Sequence, residues 1–293
     1  MTLPESIRAL DSGDMNETSS ILLAYDGSGD AAEAMIWAAA TAVREHRGVH
    51  ALLIQDTDAI TSVALPSADP DWQRMKHDVE VCLKESGVDS AVVETRRARV
   101  VPTLLKESAK ASMVVLGSRG HGVLMDALVG SVSQEVARKA ACPVVVVRPA
   151  DELESGRIVV GVDGSPDSKA ALEFACRRAE LTGEVVAAVY GWRVGDLPVD
   201  THGNVPETVG PMIDDHELLL AESVAGVRAA HPDVVLLREL VPVSPGQALV
   251  AMSRNASLVV VGSRGHGALT GLVLGSVSNH VLHKAHCPVA VVR

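Results

Sequence analysis

Short aliphatic runs alternate with longer segments of helical periodicity along almost the whole chain. The runs are apolar at consecutive positions, which is typical of strands that helices cover on both faces. Because helical segments separate these strands, the pattern predicts parallel sheets with crossover helices, which is a doubly wound α/β fold. Five strands are expected in each half of the chain, at residues 21–25, 50–55, 91–96, 113–117, 143–148, 157–162, 185–191, 234–240, 258–262 and 288–292.

The starts of several helices are marked by their residue types. Ser165 is a good N-cap and Pro166 suits the first helical position, and Ser244 with Pro245 repeats this arrangement. A further helix is expected over 131–139. These helices follow predicted strands, as the doubly wound fold requires.

Two motifs occur twice, at matching distances. The segment Gly117-Ser-Arg-Gly-His-Gly122 recurs as Gly262-Ser-Arg-Gly-His-Gly267. In both halves a Gly-Ser-Val-Ser segment begins 13 residues after the first glycine of this motif, at Gly130 and at Gly275. The chain is therefore predicted to be a tandem repeat of one structural unit.

An Asp-Gly-Ser segment, beginning at Asp26 and at Asp163, lies upstream of each glycine motif. The distance from this aspartate to the motif is 91 residues in the first half and 99 in the second. We place the extra residues, about eight, in the Gly/Pro-rich stretch 193–215, which is predicted to be a loop.

The length of 293 residues suits two domains, each able to bury its own core. The opening stretch is polar and acidic and lacks the apolar run of a secretory signal, so it is predicted to be a flexible arm. An acidic stretch with a glycine is read as the linker between the domains. The assignment is 1–18 for the arm, 19–150 for the first domain and 156–293 for the second.

Composition argues against several classes of partner. The 37 acidic residues exceed the 26 basic ones, which disfavours duplex DNA or an anionic membrane as the main partner. Aromatic residues are 2% of the chain, so the stacking platforms of single-strand nucleic-acid binders are nearly absent. No apolar run approaches the length of a membrane span. The four cysteines show no metal or disulfide spacing, so reduced thiols and a cytoplasmic location are predicted.

The glycine motifs have the composition of an anion site. Both follow predicted strands, and ligands bind beyond the carboxyl ends of strands in open parallel sheets. Glycine lets the backbone approach a phosphate closely, and the helix that begins at Ser131 adds free N–H groups. The hydroxyls of Ser131 and Ser133 are further donors, whereas Asp26 suits ribose hydroxyls or an adenine amino group. The P-loop and Rossmann patterns are both absent.

The pattern G-x-x-G, nine residues, then G-S resembles the ATP-binding motif of universal stress proteins, and the likeness covers nearly the whole chain past residue 19. It is carried by Gly117, Gly120 and Gly130-Ser131, and again by Gly262, Gly265 and Gly275-Ser276. The resemblance implies a five-stranded parallel sheet of order 3-2-1-4-5 in each domain. It also implies ATP or another adenine nucleotide in each domain.

By this resemblance Asp26 and Asp163 would contact the nucleoside. Ala24 and Gly161 would line the adenine pocket, together with the end of the second strand near Gln55 or Tyr190. Ribose and phosphates would be held by Gly117, Ser118, Arg119, Gly120, His121, Gly122, Val123, Gly130, Ser131 and Val132, and by Gly262, Ser263, Arg264, Gly265, His266, Gly267, Ala268, Gly275, Ser276 and Val277.

The chain departs from the family pattern within the nine-residue spacers. Residues 121–129 and 266–274 contain no Lys or Arg, whereas many nucleotide-binding members carry a basic residue there. A triphosphate would then be met by backbone N–H groups, by the motif arginines and histidines, or by Mg²⁺. ATP, ADP and AMP therefore all stay open. Unequal affinity of the two sites also stays open, because the first domain has Arg99-Val-Val-Pro102 where the second has Val243-Ser-Pro-Gly246.

Other polar groups favour plainer roles. His121 and His266 lack a partnered nucleophile and an orienting carboxylate, so positioning or solvation is preferred to catalysis. His280, His283 and His286 recur every third residue, but no carboxylate joins them, and solvation is preferred to metal binding. The polar stretch 214–217 is read as a helix start. No catalytic residue and no metal ligand are assigned.

The last strand of each domain, near 143–148 and 288–292, is aliphatic yet lies at a predicted sheet edge. Such an edge invites pairing, and the family resemblance points the same way. We expect these edges to pair between the two domains of one chain and again between two chains, as a homodimer.

Three functional hypotheses follow. The first is a stress-response protein that binds adenine nucleotide in both domains and acts through conformation or partner binding, with at most slow hydrolysis. The second is an ATP hydrolase or adenylate-forming enzyme of the related α/β group. The third is a nucleotide-free dimerising scaffold. Retained nucleotide separates the first from the third, and turnover with Mg²⁺ separates the first from the second.

Overall fold

The computed structural model describes residues 20–57, 70–120, 129–148, 156–193, 209–266 and 274–293. The first domain alternates strands and helices along this part of the chain. Its elements are β1 (Ile21–Tyr25), α1 (Gly29–Glu45), β2 (Val49–Asp56), α2 (Pro70–Glu85), β3 (Ala91–Ala98), α3 (Val100–Ser108), β4 (Met113–Gly117), α4 (Ser131–Lys139) and β5 (Val144–Val147).

The second domain repeats this order. Its elements are β6 (Arg157–Gly161), α5 (Pro166–Thr182), β7 (Val185–Gly191), α6 (Val209–Ala230), β8 (Leu236–Val241), α7 (Pro245–Met252), a 3₁₀ turn (Ser253–Asn255), β9 (Leu258–Gly262), α8 (Ser276–Lys284) and β10 (Val289–Val292).

The strands form one sheet of order β3-β2-β1-β4-β5-β10-β9-β6-β7-β8. Each domain therefore contributes a five-stranded parallel sheet of order 3-2-1-4-5, and the predicted doubly wound fold is confirmed. The two sheets join where β5 and β10 run antiparallel, with Val145 opposite Ala290. The outer edges are β3 and β8, which carry charged residues such as Arg97 and Arg238, as exposed sheet edges commonly do.

The joint between β5 and β10 confirms that the last strands pair within one chain. It also corrects the expectation of a homodimer through the same edges, near 143–148 and 288–292. β5 lies between β4 and β10, and β10 lies between β5 and β9. Because both sides of each strand are already hydrogen-bonded, neither strand has an edge left for a second copy.

Two aliphatic layers cover the sheet, one on each face. Alternate residues of β1 point to opposite layers, so that Ile21 and Leu23 belong to one core and Leu22 to the other. Helices α1, α2, α5 and α6 pack on the first face, and α3, α4, α7 and α8 pack on the second. The side chains of Ile21, Leu22 and Leu23 are almost completely buried. Truncating such a residue to alanine typically lowers the free energy of unfolding by about 2–5 kcal/mol.

The predicted N-cap at Ser165 is confirmed. Its hydroxyl accepts a hydrogen bond from the Ser168 backbone N–H at 3.2 Å, and Pro166 opens α5. Ser28 caps α1 in the same way, through the N–H of Ala31 at 3.2 Å. Ser244 also precedes its helix, but its hydroxyl donates to Gln247 Oε1 at 2.7 Å and makes no capping hydrogen bond.

The predicted loop at 193–215 is wrong in its second part. Helix α6 begins at Val209, so Gly210 and Pro211 lie in its first turn. Proline is tolerated there because the first N–H groups of a helix have no intrahelical partner. The stretch 214–217 is consequently inside α6 and is not a helix start. The predicted arm, 1–18, lies outside the described residues.

The domains also touch through side chains on both faces of the sheet. On one face the guanidinium of Arg178 lies 4.4 Å from the ring centroid of Trp37 and donates to Thr41 Oγ1 at 3.1 Å. On the other face Gln134 Nε2 donates to Asn279 Oδ1 at 3.3 Å. No helix in the described ranges is long and apolar enough to cross a membrane.

Candidate functional site

Asp26 and Asp163 stand at the carboxyl ends of the first strands of the two domains. Gly27 and Gly164, with φ of 85° and 82°, follow them and adopt the left-handed conformation that favours glycine. The chain turns back at this point. Asp26 Oδ1 accepts hydrogen bonds from the Ser28 N–H at 3.0 Å and its hydroxyl at 2.6 Å.

Each aspartate meets the glycine motif of its own domain. A Cβ built on Gly120 would lie 2.5 Å from Asp26 Oδ2, and Gly265 approaches Asp163 Oδ2 in the same manner. In the second domain the His266 backbone N–H donates to Asp163 Oδ2 at 3.1 Å. The structure thus brings together the two motif loops of each domain, as parallel-strand topology predicts.

The local contacts favour the charged form of Asp163. Burial by itself would raise the pKa of this carboxyl, but hydrogen bonds from the Ser165 side chain and backbone, the His266 N–H and the Ser168 side chain lower the pKa below its usual value. Asp163 is therefore ionised at neutral pH. An ionised carboxylate accepts hydrogen bonds from hydroxyl or amino groups and repels phosphate.

A second aspartate in each domain, Asp30 or Asp167, fixes the glycine motif and was missed by sequence analysis. Asp30 Oδ2 accepts from Ser118 Oγ at 2.5 Å, from the Arg119 N–H at 3.0 Å and from Arg119 Nε at 3.2 Å. The signal was present, since the full repeated segment reads Asp-Gly-Ser-x-Asp in both halves.

The matching bonds of Asp167 have nearly the same lengths. Its Oδ2 accepts from Ser263 Oγ at 2.8 Å, from the Arg264 N–H at 3.1 Å and from Arg264 Nε at 3.4 Å. Both arginines expected at the phosphates are therefore already ion-paired through Nε. Their side chains stay roughly half exposed, at 44% for Arg119 and 48% for Arg264.

Gly117 and Gly262 have a structural reason to be glycine. A Cβ on Gly117 would lie 2.7 Å from the carbonyl carbon of Asp30, and a Cβ on Gly262 would lie 2.7 Å from that of Asp167. Helices α1 and α5 thus start directly against the ends of β4 and β9. This close approach is what places the anchoring aspartates over the motif loops.

Helices α4 and α8 begin beside the same loops. Gly130 and Gly275 occupy the N-cap positions and offer no side-chain cap. The Gly130 N–H donates to Ser118 O at 2.7 Å, and the Gly275 N–H donates to Ser263 O at 2.8 Å. Ser131, Val132, Ser276 and Val277 form the first turns, where N–H groups lack intrahelical acceptors.

One expected donor is used elsewhere. The hydroxyl of Ser133 donates to Gly117 O at 2.7 Å, and that of Ser278 donates to Gly262 O at 2.5 Å. Both hydroxyls are buried. The expectation that Ser133 offers its hydroxyl to a ligand is therefore wrong, because this group ties α4 to the end of β4.

A cavity of about 690 Å³ opens beside the start of α8 in the second domain. Three rings group at its wall, with the His216 centroid 5.1 Å from that of Tyr190 and 5.5 Å from that of Trp192. His216 is not among the site residues predicted from the sequence, because the polar stretch 214–217 resembles a helix start. The lining is Tyr190, Gly191, Trp192, Arg193, His216, Ser244, Pro245, Gly246, Gln247, Ser276, Val277 and His280.

The strand register shows that Gln55 and Tyr190 are not equivalent positions of the two domains. Ala24 pairs with Leu52 and its counterpart Gly161 pairs with Val189. Counting on from these partners, the counterpart of Tyr190 is Leu53 and that of Gln55 is Trp192. Ala24 packs against the core on the α3–α4 face, and a Cβ on Gly161 would lie 2.9 Å from Leu249 Cδ1.

The histidines of α8 do not act as one group. His280 lines the cavity, whereas His283 Nε2 lies 3.2 Å from Gln134 Nε2 of the first domain. Burial, with Arg148 nearby, lowers the pKa of His283. Solvation was the wrong reading for this partly buried residue. Among the described residues, no group of three or more His, Cys, Asp or Glu side chains could hold a metal ion.

Five of the predicted ligand-contacting positions lie outside the described residues. These are His121, Gly122, Val123, Gly267 and Ala268.

Several known proteins resemble this chain over most of its length. The model of the universal stress protein family matches the chain twice, over 17–148 and 154–293. Universal stress protein Rv2005c of Mycobacterium tuberculosis is 35% identical over 291 residues, which cover 93% of this chain and 96% of that protein. A universal stress protein of Mycolicibacterium smegmatis is 38% identical over 220 residues, 72% of each chain.

The fold has a solved counterpart over its whole length. The crystal structure of a universal stress protein from Archaeoglobus fulgidus superimposes with a TM-score of 0.66. It covers 96% of this chain and 99% of its own, at 21% sequence identity. The tandem arrangement of two α/β domains is thus shared with a protein of quite different sequence.

Proposed function

This chain belongs to the universal stress protein family, and we propose that it binds an adenine nucleotide, ATP, ADP or AMP, at the glycine motifs of its two domains. It would act in the stress response through a change of conformation or through partner binding, with at most slow hydrolysis. The observation that carries the proposal is a repeated arrangement. In each domain an aspartate that ends the first strand faces a glycine of the motif loop beside an uncapped helix start.

The residues present fit such a ligand. Asp163 is held ionised and would accept hydrogen bonds from ribose hydroxyls or an adenine amino group. The first-turn amides of Ser276 and Val277 would hold a phosphate, since helix N-termini favour anions. Asp26, Ser131 and Val132 would do the same in the first domain. Gly120 and Gly265 carry no Cβ, so the space next to Asp26 and Asp163 stays open; a side chain at either glycine would fill it.

In this chain the charge of a triphosphate would be neutralised without a lysine or arginine from the nine-residue spacers. Arg119 and Arg264 are engaged through Nε but remain half exposed, so part of each guanidinium faces solvent. Bound Mg²⁺ would arrive with ATP and neutralise part of its charge. We therefore expect ATP binding to depend on Mg²⁺ more strongly than AMP binding does.

The first test is the nucleotide content and binding of the full chain. Freshly purified protein is denatured, and released nucleotide is identified by chromatography and mass spectrometry. Calorimetric titration with ATP, ADP and AMP follows, with and without Mg²⁺. Binding is expected to be lost in the double variant Asp26→Ala/Asp163→Ala, and retained in Asp233→Ala, which changes an exposed aspartate outside both sites.

The alternatives predict other outcomes. A chain that releases no nucleotide and shows neither heat of binding nor a thermal shift with millimolar nucleotide would contradict the proposal and favour the scaffold. Release of ADP from ATP at several turnovers per second with Mg²⁺ would favour a hydrolase. Circular dichroism of the double variant separates a lost site from a lost fold.

A further inference from the structure

The tandem repeat allows each residue of one site to be compared with its counterpart in the other. The strand registers match Leu52 with Val189, because these residues pair with Ala24 and Gly161 respectively. Counting on along β2 and β7, Leu53 matches Tyr190, Gln55 matches Trp192 and Asp56 matches Arg193. The wall of the cavity formed by β7 is thus aromatic and basic, where the first domain has aliphatic and acidic residues.

The helices show the same inversion of charge. Helices α4 and α8 begin at equivalent residues, Ser131 and Ser276, so Glu135 and His280 occupy the same position of the two helices. His280 lines the cavity. Glu135 lies at the matching place in the first domain and forms an ion pair with Lys139 at 2.6 Å.

One basic residue of the first domain, Arg99, reduces the difference in charge between the two sites but does not remove it. Arg99 precedes α3 where Ser244 precedes α7. Asp56, Glu135 and Arg99 together carry a net charge of one negative unit, whereas their counterparts Arg193, His280 and Ser244 carry one positive unit with histidine neutral. At these three positions the second domain is thus two charge units more positive than the first, which favours binding of a phosphate group in the second domain.

Packing in the second domain makes room for the basic lining. A Cβ on Gly246 would lie 2.9 Å from His280 Cδ2, so glycine at this position admits the imidazole ring. A Cβ on Gly191 would lie 2.5 Å from Pro245 Cα, so glycine here lets α7 start directly against the end of β7. The first domain has Val101 and Ile54 at these places. The cavity thus depends on small residues specific to the second domain.

We propose that the second-domain cavity is the tight nucleotide site of this chain, and that the first domain binds nucleotide at least about tenfold more weakly. In this cavity the base would lie against Tyr190, Trp192 and His216, and the phosphates would lie towards Arg193 and His280. The aromatic wall offers π-faces on which a purine can stack, as bases stack on aromatic side chains in nucleic-acid complexes. This inference rests on the proposed function and assigns unequal roles to its two sites.

The test uses the tryptophan at the proposed site as a reporter. The chain has three tryptophans, and Trp37 and Trp72 lie in the first domain, where they pack against the core. A Trp37→Phe/Trp72→Phe background leaves only Trp192 to report. Titration with AMP and with ATP plus Mg²⁺ is expected to quench its fluorescence with the affinity of the tighter of two calorimetric sites.

Charge exchange between the sites provides the matched variants. Arg193→Asp/His280→Glu gives the second site the residues that the first has at these two positions, and Asp56→Arg/Glu135→His does the reverse. Arg193 and His280 are exposed, so the fold should tolerate their change. The first variant is expected to weaken the tight site at least tenfold. The second is expected to strengthen the weak site and to leave the affinity reported by Trp192 unchanged.

Several outcomes would overturn the inference. Two sites of equal affinity, a tight site that survives Arg193→Asp/His280→Glu, or saturation of the tight site without any change at Trp192 would each contradict it. Those results leave nucleotide binding itself intact. A complete lack of binding to the native chain would instead contradict the proposed function and the inference together.

Discussion

Arg148, the residue after β5, donates a hydrogen bond from Nη2 to the carbonyl oxygen of Leu282, near the end of α8 in the other domain, at 2.5 Å. Its Nη1 donates to Ala285 O at 2.5 Å. Arg293, the residue after β10, reaches back to Ala137 O of α4 at 2.7 Å. Each domain thus supplies a cation to the helix C-terminus of the other, where carbonyls lack partners and a positive charge is favoured.

Loss of this contact should loosen the joint, because the ladder between β5 and β10 has three residue pairs. We expect Arg148→Ala to lower the free energy of unfolding by about 1.5–3 kcal/mol, the usual contribution of hydrogen bonds to a charged group. Urea denaturation followed by circular dichroism measures the change. Arg254→Ala, at an exposed arginine, is the control. Equal midpoints for the two variants would contradict a stabilising role for Arg148.

The close approach at Gly117 predicts a sharp contrast between two glycines of the first domain. A Cβ at Gly117 meets helix backbone at 2.7 Å, whereas a Cβ at Gly29 meets nothing within 4 Å. Gly117→Ala should destabilise the fold by about 1–3 kcal/mol or more, since backbone must move. Gly29→Ala should be neutral or stabilising by up to about 1 kcal/mol. Thermal unfolding of both variants checks this, and similar melting temperatures would refute it.

His231 predicts a pH-dependent contribution to stability. Its Nδ1 lies 2.6 Å from Glu180 Oε1 and its Nε2 lies 3.0 Å from Glu173 Oε1, and the ring is buried. The hydrogen bond to Glu180 raises the pKa of His231, burial opposes this, and Glu173 adds to the rise. Both ring nitrogens face carboxylates, which favours the doubly protonated imidazolium.

A raised pKa in the folded state gives stability that is complete below the unfolded pKa of about 6.5 and is lost as the pH rises through the folded value. The stability advantage of the native chain over His231→Gln should therefore fall by about 1 kcal/mol from pH 6 to pH 9, since the partly exposed glutamates are screened. Urea denaturation at both pH values measures it. His77→Gln, at an exposed histidine, should show no such trend, and a constant difference for His231→Gln would exclude the ion pairs as its source.

The cysteines should differ strongly in reactivity. Burial raises the pKa of Cys142 to about 11 and that of Cys176 and Cys287 to about 12. At pH 8 about one in 1,000 or fewer of these groups is thiolate, which is the reactive form. Half-buried Cys82 should therefore be alkylated first by iodoacetamide, as measured by peptide mass spectrometry. Modification of Cys287 before Cys82 in the folded chain would contradict this order.

Much of the fold could be predicted because its strands are buried on both faces. Residues 258–262, for example, are apolar throughout, and β9 has those bounds. The start of α6 could not be predicted in this way. Gly210 and Pro211 usually end regular structure, and only their place in the first turn makes them compatible with a helix.

The candidate site was predictable where topology alone decides. The carboxyl ends of neighbouring parallel strands meet at one edge, so the loops of Asp26 and Gly120 had to converge. The bond from Ser118 to Asp30 joins residues 88 positions apart and depends on side-chain direction. The grouping of His216 with Tyr190 depends likewise on where α6 lies against β7. Neither contact follows from spacing along the chain.

The pairing of β5 with β10 is a contact within one molecule, so dilution cannot separate the halves as it separates the subunits of a weak dimer. It also means that the two halves of the chain need not have identical sequences. In a symmetric dimer every substitution appears twice, and both sites change together. In this chain a substitution at Arg193 leaves Asp56 unchanged. One domain can therefore change its ligand-binding residues while the other domain still pairs with it through β5 and β10.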